Sequence, residues 1–235
     1  MAVTFQEFCD GELVEVEITR GGDLVLHGYD SLEEDAVLNE MGYEASRCLY
    51  LVQQWEREPI TVIVKMLYLD LDLSLLLAVD WVRHAIGHLD EQEVSDLRRA
   101  ETFALLESIE NVAHDHIDRL EASDIWKRHV AIREGRFDFY PSIDVVEVAK
   151  AAGYAMKASS TVAAIKTDTL TYQYQQAMEF IRNSLGGCAL RSRNSVGFNN
   201  ISGQKREALW QIKRFVDVME AKQEGEPYPP LEETE

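Results

Sequence analysis

Asp80, His84 and His88 stand four residues apart within a stretch of helical hydrophobic spacing, so their side chains stack along one stripe of a helix. Two imidazoles and a carboxylate in such a stripe can present themselves to one metal ion. The pair His114-Asp115 follows His88 by 26 residues, and Asp168 lies well downstream. The plainer reading of these histidines is pairing with neighbouring acids on helix faces. His116, seven residues after Ile109 on an apolar stripe, reads as a core histidine held by hydrogen bonds.

The charges are sorted along the chain. Residues 1–124 hold 28 Asp and Glu against 8 Lys and Arg, a net of −20. Residues 125–222 hold 9 against 15, a net of +6, and the last thirteen add five Glu, which brings the whole to −19. A field of this sign repels phosphate backbones and gathers cationic partners, so the expected partner is a basic protein rather than nucleic acid. Asp70, Asp72, Asp90, Glu91, Glu93 and Asp96, grouped at the ends of an apolar helix, are the candidate contact surface. Arg191, Arg193, Lys205, Arg206, Lys213 and Arg214, with Phe198 and Trp210 among them, form a basic patch expected to meet the acidic lobe or tail of the same or a neighbouring molecule.

Several chemistries are set aside. There is no Walker-type phosphate loop, no G-x-G-x-x-G, no G-x-S-x-G, no H-E-x-x-H and no C-x-x-C in the chain. No cofactor is expected. Cys9, Cys48 and Cys188 are odd in number and widely spaced, the usage of a reducing compartment, and the N-terminal residues lack a basic, apolar signal. Charges at Lys65, Asp70, Asp72 and Asp80 interrupt the richest apolar runs before they reach membrane-spanning length. A cytoplasmic, membrane-free protein is the expectation.

The elements that must position these residues are mostly helical. Val14, Val16 and Ile18 alternate with Glu15 and Glu17 ahead of Gly21-Gly22, which predicts a small hairpin over 13–27. Ser31 and Glu34 form a capping box for a helix ended by Gly42, a second helix covers 44–58, and Pro59 opens a third. Residues 72–89 are apolar on two faces, the pattern of a central helix. One long helical region is predicted from 91 to about 120, an Ala- and Ser-rich helix over 145–165, another over 168–185 stopped by Gly186-Gly187, a loop over 191–203, and a last helix over 204–222 with Leu209, Ile212, Val216 and Met219 inward. The fold class is mainly α, a multi-helix bundle with a small N-terminal β-hairpin. The predicted organisation is a hairpin region over 1–30, one helical domain over 31–222 with a subdomain boundary near 133–143, and a disordered acidic tail over 223–235.

Two resemblances follow. The order His88, His114-Asp115, Asp168 looks like the metal pattern of the HD-domain phosphohydrolases, which implies those four residues as ligands and phosphoester hydrolysis as the activity. Three stretches, 77–88 followed by 96–104, 149–155 and 207–215, are together similar to the all-helical immunity proteins that bacteria encode beside polymorphic toxins. In that family a helix with an Asp precedes an acidic connection and an Arg-bearing helix start, and the chain closes on an acidic-Trp-Gln-basic helix. Asp80, Arg98, Arg99, Trp210 and Gln211 match those positions. This resemblance implies a non-enzymatic inhibitor that occludes a cognate toxin, for instance a nuclease. A phage anti-defence or DNA-mimic protein would share the acidic surface and differ in its partner.

Overall fold

The computed structural model describes residues 2–9, 12–27, 47–67, 70–116, 141–170, 173–197 and 200–231. Within them lie a three-stranded antiparallel sheet and eight helices, so the protein is mainly α with an N-terminal hairpin. The chain divides into two compact units, one of Met1–Ile63 with Ala208–Pro230, the other of Val64–Glu207 with Leu231–Glu235. The partition therefore falls inside helices rather than at residue 30. The expected capping box at Ser31 and Glu34, and most of the expected boundary at 133–143, lie outside the described residues.

Unit 1 is built on the sheet β1 (Ala2–Cys9), β2 (Glu12–Thr19) and β3 (Leu24–His27), in the order β1-β2-β3. Pairing runs from Ala2 opposite Thr19 to Cys9 opposite Glu12, and from Ile18 opposite Leu24 to Glu15 opposite His27. Val3, Val14, Val16 and Ile18 are buried while Leu13 and Glu15 face out, the period-two alternation of a half-buried sheet. Gly22, at φ +91°, takes a backbone conformation that side-chain-bearing residues rarely adopt, and a Cβ there would meet Leu209 at 3.0 Å. Its carbonyl accepts a hydrogen bond from the Trp55 indole at 3.0 Å, which fastens the turn to α1 (Arg47–Arg57). Arg20 forms an ion pair with Asp217, and the Gln223 amide donates to the Thr4 carbonyl at 3.3 Å, so the sheet is tied to the C-terminal segment. The strand β1 has no counterpart in the sequence reading.

Unit 2 takes in the end of α2 (Pro59–Leu67), then α3 (Leu71–Ile86), α4 (Glu91–Arg99), α5 (Thr102–Ala113), α6 (Ile143–Lys166) and α7 (Tyr174–Asn194). The helix α8 (Ile201–Glu224) begins in unit 2 and continues in unit 1. Central α3 packs on α5, α6 and α7, and Leu73, Leu75, Leu77, Val79, Trp81 and Val82 are buried on both of its faces. Each such aliphatic side chain contributes roughly 1.5–3 kcal/mol of burial free energy. The closest pairing is α6 with α7, where Ala149, Ala152, Ala155 and Ser159 are fully buried. Small side chains at that spacing let the two axes approach.

Several sequence expectations are corrected by local physics. The predicted helix over 91–120 breaks at Ala100 and Glu101; Glu101 has φ 56°, a left-handed step that restarts the chain as α5. That helix ends at Ala113, so His116 leaves the apolar stripe and is exposed. Gly186 and Gly187 do not stop α7, which runs on to Asn194. Gly187 is there for space: a Cβ would lie 2.7 Å from the Tyr154 ring of α6. The helix predicted from 168 starts at Tyr174, and α8 starts at Ile201 rather than 204. Leu209, expected inward, is 50% exposed, while Ile212, Phe215 and Val216 are buried. Of the tail expected over 223–235, residues 223–231 are described: Gln223 and Glu224 belong to α8, and the Pro229 and Pro230 carbonyls accept hydrogen bonds from Arg214 at 2.6 and 3.2 Å.

Candidate functional site

The histidine stripe of α3 meets a residue from far along the chain. His84 Nδ1 lies 2.8 Å from Glu207 Oε2, and His88 Nε2 lies 3.5 Å from the same oxygen. The two rings meet edge to face at 4.8 Å between centroids. One candidate donor atom from each of the three side chains falls within 4.8 Å of the others, and this is the one such group of His, Cys, Asp or Glu found among the described residues. All three belong to unit 2. Helical spacing puts His84 and His88 on one stripe, and the first turns of α8 bring Glu207 to it.

The cluster is graded in exposure. The Glu207 and His84 side chains are 1% and 8% exposed, whereas His88 is 41% exposed. Burial alone pushes the Glu207 carboxyl up, but hydrogen bonds from His84 and then His88, with their charge, outweigh it and hold it below the usual carboxylate range. Asp80, the third member of the sequence stripe, is buried and does not belong to the group.

The other predicted ligands go elsewhere. Asp115, at φ 61° just past α5, pairs with Lys166 at 2.7 Å, and His114 caps the end of α5 and is exposed. Asp168, at φ 50° just past α6, is also exposed. None of these three joins His88 in the cluster. Lys166 bridges Asp115, Asp72 at 2.6 Å and the Val112 carbonyl at 2.8 Å; burial pulls its pKa down, but the two carboxylates more than reverse that. Asp115 in turn is held below its usual value, first by the hydrogen bond from Lys166.

Most of the six candidate carboxylates have structural work. Asp70 caps α3 by accepting from the Leu73 amide at 3.0 Å. Asp90 and Glu93 make a reciprocal capping box at the start of α4, and Glu93 also accepts from the Ser142 hydroxyl at 2.6 Å. Asp96 is buried and accepts from the Gln92 amide at 3.1 Å, with Arg99 at 3.5 Å. Asp72 holds Lys166. Glu91 remains exposed in the first turn of α4. All six lie in unit 2, which has 24 acidic and 17 basic residues by sequence, while the smaller unit 1 has 18 and 6.

The basic patch is shared out likewise. Arg191 reaches Glu147 at 2.8 Å in unit 2, and Arg214 in unit 1 meets the tail through proline carbonyls and the Tyr228 ring, 5.1 Å from its centroid. Phe198 lies outside the described residues; Trp210 is half-buried and Lys205, Arg206 and Lys213 are exposed. Of the positions carrying the immunity-protein resemblance, Asp80 and Gln211 are buried, Arg98 and Arg99 are exposed, and Arg98 lies 5.9 Å from the Phe103 ring centroid. No family model, no curated protein and no solved structure matches the chain. Among the described residues, no helix is long and apolar enough to cross a membrane.

Glu207 escaped the sequence reading, though a signal was there. It is the one acid among Lys205, Arg206, Lys213 and Arg214, and it shares the buried stripe of Gly203, Gln211, Phe215 and Val218 at helical spacing. A carboxylate on an apolar stripe must find a partner.

Proposed function

We propose that the protein acts by binding: a cytoplasmic immunity- or inhibitor-type protein that holds and occludes a basic protein partner, such as a nuclease toxin. The observation that carries this reading is the sorting of charge, 28 acidic against 8 basic residues over 1–124. Such a field accelerates encounter with a cationic protein and discourages nucleic acid. Because five of the six carboxylates chosen from sequence serve caps and internal pairs, the steering falls chiefly to unit 1. There Glu15, Asp23 and Glu56 are exposed, with Glu91 of α4 as the contact candidate in unit 2.

The test is co-expression with the product of the reading frame adjacent to this gene. Rescue of growth, and a complex whose association slows steeply as salt is raised, support the proposal. Glu15→Lys with Glu56→Lys should slow association about tenfold or more at low salt. Absence of any complex, or association indifferent to salt and to these reversals, overturns it.

A further inference from the structure

We propose that His84, His88 and Glu207 form a binding site for one divalent transition-metal cation of the zinc and cobalt class. The proposal is independent of the partner-binding reading and concerns a different face of the chemistry.

The donor set is the first reason. Two imidazole nitrogens and one carboxylate oxygen suit borderline cations, whereas calcium and magnesium prefer shells made of oxygen. The second reason is geometry. Zinc bonds of about 2.0–2.1 Å in a tetrahedron put ligand atoms roughly 3.3 Å apart. The Glu207 oxygen already stands 2.8 Å and 3.5 Å from the two nitrogens, and all three donors lie within 4.8 Å. Small rotations of the two imidazoles and of the carboxylate suffice to admit the ion, which then takes the place of the proton between His84 and Glu207.

Rigidity and access complete the case. His84 sits at the buried end of the cluster on α3, the helix packed against α5, α6 and α7, so one ligand is fixed by the core. The His88 side chain, 41% exposed, gives the ion a route from solvent and leaves the outer side open to a water molecule as fourth ligand. The Glu207 carboxylate offsets one of the ion's two charges, and the open side at His88 lets water or a small anion offset the other.

The experiment uses untagged, chelator-treated full-length protein titrated with Co2+ and followed by visible absorption, then with Zn2+ by calorimetry. One equivalent of Co2+ should produce d–d bands that Zn2+ abolishes. His88→Ala should weaken binding at least tenfold while leaving the circular dichroism unchanged and lowering the metal-free unfolding midpoint only slightly, because His84 still holds Glu207. Glu207→Gln, which keeps the side-chain shape, should do the same to binding. His114→Ala, at the exposed end of α5, should bind as the parent does. Absence of saturable one-to-one binding, binding that survives His88→Ala, or binding lost with His114→Ala, each overturns the proposal.

Discussion

Glu147 on α6 and Glu207 on α8 are both buried carboxylates, 4% and 2% exposed, yet they are satisfied by opposite kinds of partner. Glu147 accepts from Arg191 at 2.8 Å and from Lys150 at 3.0 Å, cations that stay charged at any physiological pH. Its hydrogen bond raises the Arg191 pKa further. Glu207 faces two histidines, whose ring nitrogens can also serve as ligands. A carboxylate given permanent cations is a structural joint; one given imidazoles keeps its chemistry available. The contrast separates a place that holds the bundle together from one that can take a ligand.

The strongest way to break that contrast is to remove a cation from the first site. Arg191→Met leaves Glu147 buried with Lys150 alone and should cost about 3 kcal/mol, read from urea unfolding midpoints, since a buried charge stripped of a partner is expensive. A cost under about 1 kcal/mol would show that the α6–α7 joint does not depend on it. The next effect tests the spacing behind the joint. Gly187→Ala drives a methyl into the Tyr154 ring and should cost about 2 kcal/mol by overpacking. Gly186→Ala meets nothing within 4 Å and should instead stabilise the helix by up to about 1 kcal/mol. Thermal unfolding of the two single variants should therefore move in opposite directions.

The smallest effect concerns Asp144, one turn before Glu147. Its carboxyl is pushed up by burial first and then by the charges of Glu93 and Glu147. A carboxyl raised in the folded state loses stability as pH climbs from its unfolded value, near 3.9, through its folded one, and carries that penalty at neutral pH. Asp144→Asn should accordingly be more stable than the parent at pH 7, by less than about 1 kcal/mol, with the difference gone below about pH 4. Chemical denaturation across pH 3–8 checks the sign.

How much of this was legible depends on the range over which each signal acts. The two-faced apolar pattern of α3 and the alternation of Val14, Val16 and Ile18 are local, and both led to the right element. Asp10-Gly11, in sequence between β1 and β2, is also a local hairpin signal, which the expected hairpin over 13–27 leaves out. Gly186-Gly187 misled because a glycine pair reads as a stop when its neighbour across the bundle is unknown. The break at Glu101 leaves no glycine or proline to mark it. Two of the three members of the candidate site were visible as His84 and His88 at helical spacing. Its third member sits 123 residues away from His84, and sequence spacing says nothing about which stripe of α8 faces α3.

The division of the chain has a consequence for how it is made. Unit 1 needs both its N-terminal strands and residues 208–230, and the Arg20–Asp217 pair closes a separation of 197 positions. On the ribosome, residues 64–207 are all translated before residues 208–230 exist, so the inserted helices can assemble while the N-terminal sheet still lacks the segment that completes its unit. Closing so wide a circuit is entropically slow. Vectorial synthesis thus favours an order in which the nascent helical insert matures first and the acid-rich part is sealed afterwards.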